Sequence, residues 1–181
     1  MKKTIAILLV LVIGMVGVWA ANDNSTDLTL NSTVSGKYGL KIDATGVAGA
    51  TLAEKITSFN GLTEVTSTSF TDTDLTETLY VNYMSNQKIQ ATVTTTMLPM
   101  SSNTVTSKIG YAVTVAGASA IDVAADAASA VAITFIDDGE VINGMRVVSK
   151  AFTIDVDSTE WQAAGAATDY TTTWTVVLLT N

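Results

Sequence analysis

Asp169-Tyr170-Thr171-Thr172-Thr173-Trp174-Thr175-Val176-Val177-Leu178-Leu179-Thr180 is the stretch from which the fold can be read. In extended backbone, Tyr170, Thr172, Trp174, Val176 and Leu178 fall on one face, and Thr171, Thr173, Thr175, Val177 and Leu179 on the other. A period of two carried by aromatic and β-branched residues is the pattern of a strand. A strand over 170–179, so close to Asn181, must pair with earlier segments or with another molecule. Its Tyr170, Trp174, Val176 and Leu178 face is expected to point into a core rather than to hold a ligand.

Working outward, the same alternation recurs. Arg146 to Val156 places Val148, Phe152, Ile154 and Val156 in phase, and Ala130 to Ile136 is an apolar strand. Asp137-Asp138-Gly139-Glu140 reads as a turn from that strand into Val141-Ile142, with Asp-Gly chemistry suited to positive φ. Val105 to Val115 aligns Ile109, Tyr111, Val113 and Val115, with Gly110 as a candidate bulge. Thr76 to Tyr83 and Lys88 to Thr95 read as a hairpin turning at Ser85-Asn86-Gln87 and stopped by Pro99, which has no N–H for a ladder.

Earlier still, Asp72-Thr73-Asp74 is a turn, Glu64 to Phe70 a thin strand, and Tyr38, Leu40 and Ile42 one face of another. Gly46 to Ala50 reads as loop, and Leu52 to Ile56 as a helical turn at most. The alanine-rich segment 116–130 fits either a short helix or a crossing loop, and Ala163 to Ala167 a flexible link. At least seven short strands, frequent turns and abundant threonine on solvent faces indicate an all-β antiparallel sandwich with Greek-key connections.

The beginning of the chain reads as an export signal. Met1-Lys2-Lys3 is a basic lead, Thr4 to Val18 is apolar, and Val18-Trp19-Ala20 sets small residues for cleavage after Ala20. The apolar run is short for a membrane span of about 20 residues. Residues 1–20 are therefore expected to be removed, leaving 21–181 as one exported domain with no stable membrane span. The formal charge is −8 and becomes more negative without Lys2 and Lys3. Such a surface repels nucleic acid.

The chain has no Cys and no His. An exported protein of this kind relies on packing rather than disulfides, and it lacks the commonest general base and transition-metal ligand. Asp137, Asp138 and Glu140 do not match a calcium-loop spacing. No phosphate loop or nucleophile elbow occurs, so no cofactor, metal or catalytic residue is expected. Trp161, between Glu160 and Gln162, is the aromatic best placed for an exposed ligand contact, such as stacking on a sugar.

Leu28, Leu30 and Val34 form one apolar face of a strand over 27–34. Such a strand can pair within its own domain or complete the sheet of a neighbour by strand addition beside the final strand. A head-to-tail contact of the second kind does not close and gives a fibre.

Three segments, Leu28 to Val34, Leu79-Tyr-Val-Asn-Tyr-Met-Ser-Asn86 and Asp169 to Val176, resemble subunits of chaperone–usher pili, especially the cysteine-free branch. That resemblance implies an immunoglobulin-like, pilin-like sandwich, a structural or adhesive role without catalysis, a periplasmic chaperone and a homopolymeric filament. It assigns subunit assembly to Leu28, Leu30, Val34, Tyr170, Trp174, Val176 and Leu178. The ending is also similar to cell-wall-binding domains that close on Trp-x-Leu, but Val176 stands where that motif has Leu, and no convincing second copy lies upstream. The alternative function is a monomeric secreted module binding carbohydrate or protein.

Overall fold

The computed structural model describes residues 38–86, 91–138 and 144–180. In chain order these form β1 (Tyr38–Asp43), α1 (Leu52–Gly61), β2 (Thr76–Ser85), β3 (Ala91–Met97), β4 (Met100–Ser101) and β5 (Lys108–Ile109). They continue with β6 (Tyr111–Val115), β7 (Ile121–Val123), β8 (Val131–Asp138), β9 (Arg146–Val156), α2 (Ser158–Ala163) and β10 (Val177–Thr180). The fold is all-β and antiparallel. One sheet runs β1-β2-β9-β6-β7, a second β10-β3-β8, and β4-β5 make a small ribbon.

The two larger sheets share one core. Leu79, Val81 and Tyr83 of β2, Tyr111, Val113 and Val115 of β6, and Phe152, Ile154 and Val156 of β9 pack with Val93 and Met97 of β3 and Ile133, Phe135 and Ile136 of β8. The ring centroids of Phe135 and Phe152 lie 4.9 Å apart, joining the sheets directly. The alternation in β2, β6 and β9 was legible because these strands carry their apolar residues at every second position, and that face is the buried one.

The expected hairpin of 76–95 does not form. β2 pairs with β1 and β9, while β3 pairs with β8 and β10, so the two strands belong to different sheets. Both have one apolar face, and in a sandwich such strands can meet across the core as well as edge to edge. The same holds for β8 and β9, which are consecutive and lie in opposite sheets. Of the expected turn at 137–140, Asp137 and Asp138 belong instead to β8, and 139–143 lie outside the described residues.

The expected strand 105–115 is shorter and broken at Gly110, with β5 paired to β4 and β6 to β7 and β9. A Cβ on Gly110 would lie 2.6 Å from the Val123 carbonyl oxygen, so the crossing is open only to glycine. Glu64 to Phe70 is extended but not a strand, with Val65 N–H donating to Ile42 O at 2.8 Å. Residues 116–130 are turns around the short edge strand β7 rather than a helix.

Both helices exceed what the sequence reading expected. Thr51 caps α1 and Glu54 bonds back to Thr51 N–H at 2.9 Å, a capping box that starts a helix running to Gly61. Asp157 caps α2 through Thr159 and Glu160 N–H, both at 2.8 Å. Glu160 is diverted to the Gly110 N–H, tying α2 to the β5–β6 junction. α1 covers the outer face of β2 and β9. Asn82, fully buried there, accepts from Val47 N–H at 3.2 Å and donates to Thr45 O at 3.3 Å.

Candidate functional site at the C-terminal edge

The final segment runs antiparallel to β3 and β4 in three sections held in different ways. At its start, the Asp169 carboxylate accepts from Ser102 hydroxyl, from Asn103 N–H at 2.9 Å and from Thr104 hydroxyl at 3.1 Å. These bonds, that from Ser102 foremost, hold its pKa below the ordinary carboxylate value. Next to it a ring of hydrogen bonds closes. Gly165 N–H donates to Ser107 Oγ at 2.9 Å, and Tyr170 hydroxyl donates to Gly165 O at 2.9 Å. The Ser107 hydroxyl therefore supplies the proton for its 2.6 Å contact with Tyr170. Thr171 then exchanges backbone bonds with Ser101 at 2.9 and 3.0 Å.

The middle section, 172–176, is where the expected strand fails. Only Val177–Thr180 forms a ladder, with Val177 opposite Thr94 and Thr180 opposite Ala91. Opposite the middle section lies Leu98-Pro99. Pro99 has no N–H to offer, and Leu98 O already accepts from Tyr111 hydroxyl at 2.7 Å and Thr172 hydroxyl at 2.8 Å. Hydroxyls replace the ladder here, and Thr95 Oγ1 donates to Thr175 O at 2.9 Å.

The alternation nevertheless persists through the break. Tyr170, Thr172, Trp174, Val176 and Leu178 are all half-buried, and Thr171, Thr173, Thr175, Val177 and Leu179 all exposed. The Trp174 indole stacks at a tilt on Tyr111 at 5.7 Å and on Phe152 at 6.2 Å, and its N–H donates to Tyr111 hydroxyl at 2.9 Å. Burial pushes the Tyr111 phenol up, which keeps it a donor to Leu98 O. The expected inward face is thus real, but none of its five members is fully buried. Among the described residues β10 is an outer strand with β3 on one side only. Leu28, Leu30 and Val34 lie outside the described residues.

Trp161 departs from its expected exposure. It lies on α2, half-buried against the core, and its indole N–H donates to Asp72 at 3.2 Å. The aromatic body packs and the polar edge is satisfied, the usual condition of a partly buried tryptophan. The residues that shape the C-terminal edge and were not singled out are Thr95, Leu98, Ser102 and Ser107, with Tyr111, which was read only as part of an apolar strand face. Only Pro99 carried a readable signal, because the other five act through contacts with segments more than sixty residues away in the C-terminal part of the chain, as between Ser102 and Asp169, separated by 67.

No described group of His, Cys, Asp and Glu is arranged to hold a metal ion, and no described helix is long and apolar enough to cross a membrane. No family model and no curated protein matches the chain.

Proposed function

We propose that the chain is an exported structural or adhesive subunit of a surface filament, of immunoglobulin-like, pilin-like type. Residues 27–34 of one copy add as a strand beside β10 of the next. The observation that carries this reading is the state of the final segment: an outer strand among the described residues whose five inward side chains are only partly buried. A strand laid beside it would satisfy its outer backbone groups and cover Trp174, Val176 and Leu178. Each of Leu28, Leu30 and Val34, fully buried, would contribute about 1.5–3 kcal/mol, offset in part by ordering the strand.

The absence of cysteine from the sequence makes the test clean. Thr29→Cys and Leu179→Cys, each on the outward face of its strand, are introduced together in the mature chain and oxidised at high protein concentration. The reading expects a ladder of disulfide-linked multimers, and filaments by negative-stain microscopy. A crosslink formed only within monomers shows that the strand completes its own domain, and no crosslink at all removes the β10 edge from the proposal.

A further inference from the structure

A second feature lies far from β10 in the chain, where β1 meets α1. An open cleft of about 480 Å³ is lined by Asp43, Thr45, Ser58, Gly61, Leu62 and Val65, with Thr63 beside them. That volume is within the range of small-ligand sites, roughly 300–1,000 Å³. Its chemistry is one-sided. The Asp43 residue is only 6 % exposed, and buried charges are ordinarily paired. Asp43 Oδ1 takes Thr45 N–H and Thr45 hydroxyl, each at 2.7 Å. The Thr63 backbone N–H also bonds to this carboxylate and the Lys41 charge acts on it from a distance, which leaves the carboxylate some acceptor capacity still.

Lys41, two residues away, does not fill the role. Its ammonium donates to Phe59 O at 3.1 Å, Asn60 O at 3.3 Å and Leu62 O at 3.0 Å, so it caps the end of α1 instead. The remaining polar atoms of the cleft are acceptors or can serve as such. Thr45 hydroxyl has given its proton to Asp43, and Ser58 Oγ accepts from Ala48 N–H at 3.0 Å with a lone pair to spare. Leu62 and Val65 supply an apolar wall.

We propose that this cleft binds a primary alkylammonium group, as carried by a lysine side chain or an alkyl diamine. The three N–H donors of such a group meet Asp43, Thr45 and Ser58, and its methylene stem lies on Leu62 and Val65. A single carboxylate with hydroxyls is a poor match for Ca²⁺, which takes six to eight oxygens, usually several from carboxylates.

The test is titration of the isotopically labelled mature protein with 1,5-diaminopentane and with Nα-acetyl-lysine methylamide, following amide shifts. The expected result is saturable movement of Thr45, Ser58, Gly61 and Thr63 with a Kd on the order of 1 mM; the tighter probe identifies the source of the ammonium. Gly61 lines the cleft and a Cβ there meets nothing within 4 Å, so Gly61→Phe places a bulky group at the cleft with no clash at its first carbon. It should abolish the shifts while leaving the rest of the spectrum in place, and Asp43→Asn should weaken binding about tenfold or more. Absence of saturable shifts overturns the proposal. So does binding that survives Gly61→Phe, or a response to Ca²⁺ that the amines do not share.

Discussion

β8 and β10 flank the same central strand, β3, and each is an outer strand of that sheet among the described residues. Their sequences alternate equally well. Yet the inward residues of β8 are sealed, with Ile133 2 % and Phe135 3 % exposed, whereas every inward residue of 170–178 is half-buried. β8 pairs with β3 from Val131 to Asp138 and sets Phe135 against Phe152 of the facing sheet. β10 has a ladder of four residues, preceded by a section that side-chain hydroxyls hold in place of backbone bonds. Equal periodicity therefore does not imply equal burial. Burial depends on what lies across the core and beside the strand, and the β10 side is the one where a further strand would find apolar surface to cover.

That contrast can be broken most directly by truncation. Phe135→Ala should cost about 3–5 kcal/mol in denaturant unfolding, as expected for a fully packed aromatic. Trp174→Ala should cost less, about 1.5–3 kcal/mol, because the indole is only partly buried. Equal losses would mean the two sides are equally complete. Repeating the Trp174→Ala measurement with the peptide 27–34 present sharpens the comparison, since an added strand should widen the loss.

Smaller effects probe how the segment is held. Thr172→Val removes the hydroxyl bond to Leu98 O, which Tyr111 still satisfies. It should cost about 1 kcal/mol and speed amide exchange at Val177 to Thr180, with β8 unaffected. Uniform acceleration across the protein would show that the C-terminal segment does not open by itself.

The smallest expected effect is that of Asp169. Its folded pKa is depressed below 3.8, chiefly by the Ser102 hydroxyl. The stabilisation is therefore present above the ordinary value of 3.8 and lost as pH falls through the lower folded one. Acid titration followed by the amide shifts of Asn103 and Thr104 should show loosening in that range, and Asp169→Asn should abolish the step.

Much of the fold was legible where one residue type carries one consequence. Arg146–Val156 reads as a strand and is one, because six of its positions present β-branched or aromatic side chains to alternating faces. The stop at Pro99 was equally readable. The helices were missed, although Thr51-x-x-Glu54 and Asp157-x-x-Glu160 carry start signals independent of apolar period. A weak amphipathic pattern hid them. Partner choice was not legible, and the mistaken 76–95 hairpin shows the reason: alternation states which face is apolar but not which strand lies alongside.

The candidate edge divides in the same way. Which side chains of 170–179 face inward was set by the sequence alone, since the period of two is geometric and survived even where the ladder did not. How firmly that face is held was decided only by the tertiary structure. Pro99 and the occupied Leu98 carbonyl lie seventy-odd residues upstream, and their effect exists only once the fold sets them opposite Thr172. The burial of Asp43 has the same origin, because a carboxylate at the end of β1, off the Tyr38–Leu40–Ile42 face, became enclosed when α1 and the segment after it closed over it.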